Sequence, residues 1–240
     1  MIKAIFFDLD DTLYQYEGET RIKVELDTIK HLAKMKNIPA KNVPELYLEF
    51  RKSFSKLIKK HNDDYPSLRS SWYKHFLIHL KQKNKKTIEK DSKKLDRFYW
   101  KTFSKIIKPY DDAAMVIPEL AKKYKLYIIT DGWKDGQNIR LKAIKLKKYF
   151  SGMVCSDDVG NKRKPHPDIF KKCLKIAKCQ KNEAVMVGDK PKRDILGANN
   201  AGIISIWLKR GSYVKYSPIK NEIPSYKEDN FFEICNIVKK

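Results

Sequence analysis

The stretch "AIFFDLDDTLY", Ala4 to Tyr14, runs from four apolar residues into three carboxylates, Asp8, Asp10 and Asp11, within four positions. Asp is common in solvated turns, so a turn is one reading. A buried strand that delivers carboxylates to a catalytic site is the other. Residues two apart on extended chain share a side. Asp8 and Asp10 are therefore expected to face one site, with Leu9 turned to the core. Asp11 is expected to face away from Asp8 and to cap local backbone.

Working outward, residues 2–7 read as a buried strand, and from about residue 18 to residue 107 the character changes. Apolar residues there recur at steps of three and four: Leu46, Phe50, Phe54 and Leu57; Trp72, Phe76, Leu77 and Leu80; Leu95, Phe98, Tyr99 and Phe103. Breaks fall at Pro39 and Pro44, at "NDDYPS" and at "KNKK". This predicts a bundle of about four helices. After Pro109, strands alternate with helices: "LYIIT", "GMVCS", "EAVMVGD" and "ISIWL" between "AAMVIPELAKKY", "KDGQNIRLKAIKLKKYF", "PDIFKKCLKIAK" and "KRDILGANNAG". "DNFFEICNIV" reads as a last helix capped by Asp229 or Asn230. The alternation argues for parallel βαβ units. The fold class is thus α/β, a Rossmann-like doubly wound parallel sheet over residues 1–14 and 109–240, with a four-helix bundle inserted over residues 15–108.

The 240 residues carry 52 basic and 29 acidic side chains, a formal net charge of +23, and 42% of the chain is hydrophobic, enough for a sizeable core. A surplus of that size raises the question of a polyanionic partner. The basic residues are 44 Lys and only 8 Arg, whereas phosphate and base recognition favour the rigid Arg fork. The surplus is read as solvated surface, not as a nucleic-acid site. Cys155, Cys173, Cys179 and Cys235 show no CxxC spacing, so neither a zinc site nor a disulfide framework is expected and a reducing cytosol fits. No apolar run approaches a membrane span, and the chain reads as soluble and cytoplasmic. Its oligomeric state is not legible.

Open α/β sheets bind ligands at the carboxyl ends of their strands. Four such ends carry polar residues here. The first is Asp8-Leu9-Asp10-Asp11; the second is Thr130-Asp131-Gly132; the third precedes "SDDVGNKRKPHP", with Lys164; the fourth is Gly188-Asp189, with Asp194 five residues on. Asp157 and Asp158 also follow a strand end and are read as loop residues.

The segments "DLDDTL", "IITDG", "KPHPDIF" and "VGDKPKRDILGANNAG" resemble, in order, the four sequence motifs of the haloacid dehalogenase superfamily in its phosphatase branch. The wording "FFDLDDTL…IITDG…KPHP" is similar to archaeal-type small phosphatases, some of which act on glyceraldehyde 3-phosphate. The resemblance implies that the helical insertion is a cap domain and that the chain is a magnesium-dependent phosphatase of a small phosphorylated metabolite. By it, Asp8 is the nucleophile that forms an aspartyl-phosphate, and Asp10 protonates the leaving alkoxide and then deprotonates water. Asp8, Asp189 and the Asp10 carbonyl would hold Mg2+, with Asp194 at or just behind them; an all-oxygen set suits that hard cation. Lys164 would neutralise charge, and Thr130 with backbone N–H groups, that of Asp131 among them, would hold phosphate oxygens. Asp131 departs from the Asn often found at this place, and its carboxylate is not expected to meet a phosphate.

Three other readings compete. A dehalogenase has no alkoxide to protonate, so Asp10 argues against it. A phosphonate hydrolase would need a Schiff-base Lys at the cap edge. A nucleic-acid-binding protein is suggested only by the charge and by aromatics among Lys in "SSWYKHF" and "LDRFYWKTF", whose helical spacing fits a core better.

Overall fold

In a computed structural model that describes residues 1–60 and 69–239, residues 4–7 form a fully buried strand, β1 (Ala4–Phe7). Five more follow: β2 (Lys125–Thr130), β3 (Phe150–Cys155), β4 (Ala184–Gly188), β5 (Ile204–Leu208) and β6 (Tyr226–Glu228). They make one parallel sheet in the order β3-β2-β1-β4-β5-β6. β1 is central, paired with β2 on one side and β4 on the other. The carboxyl ends of these three strands are therefore neighbours.

A parallel sheet covered on both faces needs strands that are apolar throughout. β1 meets that need by period-two alternation. Ala4 and Phe6 join Tyr127, Ile129, Val154, Met186 and the helix α7 (Pro167–Ala177) in one core cluster. Phe7 points to the opposite face, edge-on to Phe150 and stacked on Phe231. The chain divides into two units, residues 1–17 with 107–240, and residues 18–106. In the first, α5 (Asp111–Ala121), α6 (Lys134–Ala143), α7, α8 (Leu196–Ala201) and α9 (Phe232–Ile237) surround the sheet. α8 ends at Gly202, whose φ of 70° favours a residue without Cβ.

The second unit holds α1 (Glu19–Met35), α2 (Val43–Lys60), α3 (Arg69–His79) and α4 (Lys85–Ile106). The periodic residues supply its interior: Leu46, Phe50, Phe54, Tyr73, Phe76, Leu95, Tyr99 and Phe103 are buried. The aromatic rings that raised the nucleic-acid question are thus largely core. Buried Glu25 is tied to Arg51 at 2.7 Å and to Arg21 at 3.2 Å, and Lys36 meets Asp91 at 2.6 Å. The "KNKK" break is a helix start, where the Asn84 side chain accepts from the Thr87 N–H. The break expected at "NDDYPS", residues 62–67, lies outside the described residues. Among the described residues no helix is long and apolar enough to cross a membrane.

Two sequence expectations are corrected. The helix from Lys134 stops at Ala143, and a 3-10 turn, Lys147–Tyr149, fills the remainder. The left-handed Lys145, φ 61°, breaks the helical run between them. The strand β6 was not expected: its three residues are polar and largely exposed, so no apolar pattern marks it.

Phe170 is fully buried, and an added Cβ at Gly197 would stand 2.2 Å from its ring. Phe170→Ala is expected to lower stability by about 3–5 kcal/mol, read as a shifted urea midpoint.

Candidate active site

Asp8 continues the sheet for one residue, its N–H donating to the Val187 carbonyl at 2.9 Å. The chain then turns. Leu13 N–H donates to Leu9 O, Asp11 N–H donates to Tyr14 O, and Asp11 adopts φ 66°, a left-handed conformation that Asp tolerates better than most residues. Asp11 Oδ1 accepts from the N–H groups of Tyr16 and Glu17, both at 2.9 Å. This is the backbone cap expected of it. Its other oxygen is buried, 3.6 Å from the ammonium of Lys190.

Lys164 organises the centre. Its neighbour Lys162 is on the surface with Asp168, whereas Lys164 is buried. Its ammonium donates to Asp8 Oδ1 at 2.5 Å, to Asp194 Oδ1 at 2.7 Å and to the Ile129 carbonyl at 3.0 Å. All three N–H bonds are thereby used. Burial acts to lower the Lys164 pKa; Asp194, Asp8 and Asp131 outweigh it and hold the side chain firmly charged. Asp8 is the converse. Burial acts to raise its pKa, yet Lys164 and Lys190 keep it below the usual carboxylate value.

Oxygens of Asp8, Asp189 and Asp194 lie within 4.8 Å of one another, and all three residues are buried. Like charges so close disfavour full ionisation. Burial, reinforced by the neighbouring carboxylates, pushes Asp189 well above its ordinary range and Asp194 up to about 6, against the pull of the lysines. Asp189 Oδ1 accepts from the Thr12 hydroxyl at 3.0 Å, while Asp189 Oδ2 is buried without a hydrogen-bond donor. A carboxylate oxygen that no hydrogen bond engages, with the Lys190 ammonium 3.3 Å away, fits a hard divalent cation in this all-oxygen cluster. Asp8 and Asp189 offer oxygens to it. Asp194 stands behind them, because its Oδ1 is held by Lys164 and its Oδ2 accepts from the Lys190 N–H at 2.9 Å. Gly188 allows this packing: a Cβ there would stand 2.4 Å from the Asp194 carboxyl carbon.

Asp10 belongs to the same loop but its carboxylate has separate partners. It accepts from the Tyr14 hydroxyl, from Arg140 and, at 3.3 Å, from the Gln137 amide. The same Gln137 nitrogen donates to the Thr130 hydroxyl oxygen at 2.9 Å, so Gln137 links the ends of β1 and β2. The Arg140 guanidinium also lies over the Tyr16 ring, 4.2 Å from its centroid. The Asp131 carboxylate has two partners of its own. Its Oδ1 accepts from the Lys164 N–H at 2.7 Å and its Oδ2 from Arg193 at 3.0 Å. Its carboxylate positions the Lys164 loop. Asp157 and Asp158 sit in a turn after β3, where Asp158 accepts from the Cys155 N–H and pairs with Lys134.

Sequence reasoning thus missed Gln137, Arg140, Lys190 and Arg193. Gln137 and Arg140 are three apart on α6, so they share the helix face that looks at the strand ends, and that spacing was a usable signal.

The family profile of the haloacid dehalogenase-like hydrolases matches residues 5–208. The glyceraldehyde 3-phosphate phosphatase of Methanopyrus kandleri is 27% identical over 100% of this chain and 98% of its own length. That of Pyrococcus abyssi is 33% identical over 88% and 83%. Human N-acylneuraminate-9-phosphatase is 28% identical over 97% and 92%. Among solved structures, a 2-haloacid dehalogenase from Pseudomonas syringae superposes with a TM-score of 0.74 at 23% identity, over 100% of this chain and 99% of that one. A phosphatase of the same superfamily from Thermococcus onnurineus gives 0.67 at 23% identity, over 99% and 98%. The chain belongs to the haloacid dehalogenase-like hydrolases. It is an enzyme of that class, and its relatives along most of the chain are phosphatases.

Lys164→Met would leave Asp8 and Asp194 facing each other without their shared counter-charge. Stability measured in EDTA is expected to fall by about 3–5 kcal/mol, whereas Lys162→Met, at an exposed pair, leaves the unfolding midpoint where it was.

Proposed function

We propose that the protein is a magnesium-dependent phosphatase that hydrolyses a small phosphorylated metabolite through an aspartyl-phosphate on Asp8. The observation that carries this reading is the buried Lys164 ammonium shared by Asp8 and Asp194, beside an Asp189 oxygen that no hydrogen bond engages. Lys164 keeps Asp8 ionised as a nucleophile requires. Of its two oxygens, Oδ1 is bound to Lys164 and Oδ2 has only a 3.4 Å contact with the Thr12 hydroxyl. Oδ2 is therefore the less engaged oxygen.

In the first step Asp8 bonds to phosphorus, the phosphorus–oxygen ester bond breaks, and Asp10 gives its proton to the departing alkoxide. In the second, Asp10 takes a proton from water as the water oxygen bonds to phosphorus. The acyl phosphate then breaks, which frees inorganic phosphate and restores Asp8. Arg140, Tyr14 and Gln137 orient the Asp10 carboxylate, and the Thr130 hydroxyl with backbone N–H groups of its loop receives phosphate oxygens. Mg2+, held by Asp8, Asp189 and the Asp10 carbonyl, would supply positive charge against phosphate and carboxylates together. Residues 18–106 are read as the cap domain that chooses the substrate. The full-length relatives named for glyceraldehyde 3-phosphate and N-acylneuraminate 9-phosphate direct the search to small sugar-type phosphates.

Asp8→Asn is expected to reduce p-nitrophenyl phosphate hydrolysis to background, and EDTA to abolish it until magnesium is restored; near-full activity in Asp8→Asn overturns the nucleophile assignment. A panel of phosphorylated metabolites headed by glyceraldehyde 3-phosphate identifies the substrate.

Asp10→Asn tests the proton shuttle through its leaving group. Alkyl phosphates are expected to lose about a hundredfold or more in kcat. p-Nitrophenyl phosphate, whose phenolate leaves without a proton, loses less in the first step. Equal losses for both in single-turnover phosphorylation count against the assignment.

A further inference from the structure

Lys190 follows Asp189 directly, and nothing in its sequence context singled it out. Its ammonium is 3.3 Å from the Asp10 carbonyl oxygen, 3.4 and 3.3 Å from the two Asp189 oxygens, and 3.6 Å from Asp11 Oδ2. The side chain is only 19% exposed. Four carboxylates, Asp8, Asp11, Asp189 and Asp194, are thus answered by two ammonium groups, and the division between those two is sharp. Lys164 spends all its hydrogen bonds on Asp8, Asp194 and a carbonyl. Lys190 takes the Asp10 carbonyl and Asp189. These are the oxygens that the proposed function assigns to the divalent cation.

Two cations cannot use the same lone pairs, and at a few ångströms in a buried site they repel strongly. Lys164 is pinned on three sides, but Lys190 is not. Its contacts are long, and its flexible stem lets the ammonium swing to water. We propose that Lys190 is an internal competitor for the metal: its ammonium holds the Asp10 carbonyl and Asp189 until a divalent cation displaces it. Metal affinity is then lowered by the fraction of molecules in which Lys190 occupies those oxygens. The proposal rests on the metal-dependent reading above and adds to it the residue that sets how tightly the metal is held.

The test is calorimetric titration of the full chain with magnesium chloride, with thermal melts in EDTA and in magnesium. Lys190→Met is compared with the wild type and with Lys192→Met. The latter makes the same change in net charge two residues away, on an exposed side chain whose ammonium lies over the Tyr216 ring. Lys190→Met is expected to bind magnesium about tenfold or more tightly than the wild type, and Lys192→Met to bind as the wild type does. Lys190→Met is also expected to melt lower in EDTA and to gain more from magnesium than the wild type, where a purely structural lysine would lower both melts alike. Should Lys190→Met not fold, Lys190→Gln, which keeps a polar end without the charge, carries the same expectation. Unchanged or weaker binding by the Lys190 variants, with the wild type binding, overturns the proposal and leaves the phosphatase reading standing. An equal gain in Lys192→Met overturns it in favour of net charge alone. No binding by any of the proteins overturns both the proposal and the metal assignment.

Discussion

A buried ammonium shared by two carboxylates is the contact on which the site depends. Asp8 and Asp194 come from different strand ends, and both are out of water. Bringing two such charges together is costly in a low-dielectric interior unless a counter-charge sits between them. Lys164 does so with three directed hydrogen bonds, one of them to the β2 carbonyl of Ile129. One side chain thereby joins the ends of β1, β2 and the loop after β4. The same residue leaves Asp8 ionised while Asp189 and Asp194 are pushed the other way by burial and mutual repulsion. That asymmetry sets one firmly ionised carboxylate beside two whose charge the lysines do not fully answer.

A second tier holds this contact in place. Asp131 fastens the Lys164 backbone and is itself fastened by Arg193. Gln137 bridges Thr130 and Asp10, and Arg140 and Tyr14 fix the Asp10 carboxylate. The Trp207 indole N–H donates to the Asp189 carbonyl at 3.1 Å, and Arg210 donates to the Thr12 carbonyl while paired with Asp112. Trp207 of β5 thus restrains the loop after β4, and Arg210, just beyond β5, restrains the loop after β1. Such supporting bonds keep a catalytic constellation in its working geometry.

The fold alone does not say which hydrolysis this is. Superposition on a dehalogenase is as complete as on a phosphatase, and one scaffold commonly hosts several chemistries. On the proposed mechanism what separates the two is local: a carboxylate at Asp10 has work to do when an alkoxide leaves and none when a halide does. Near-full-length similarity to proteins named phosphatases points the same way.

Much of this was legible in the chain. The buried strand at residues 4–7, the alternation after Pro109 and the helical insertion follow from apolar period, because burying a face demands that period whatever the partners are. Asp8, Thr130, Lys164, Asp189 and Asp194 were legible because strand ends are marked in sequence by where apolar runs stop. The strand β6 was not, since three polar edge residues bury too little to leave a pattern. Nor were the partners of each carboxylate. Sequence determined that these groups arrive at neighbouring strand ends. Only the tertiary structure decided that Asp131 turns to Arg193, that Arg140 meets Asp10, and that Lys190 lies on the Asp10 carbonyl and Asp189. The physical reason is that burial is written locally, in a residue's own apolarity and period, whereas charge pairing depends on distances between segments as much as 180 residues apart.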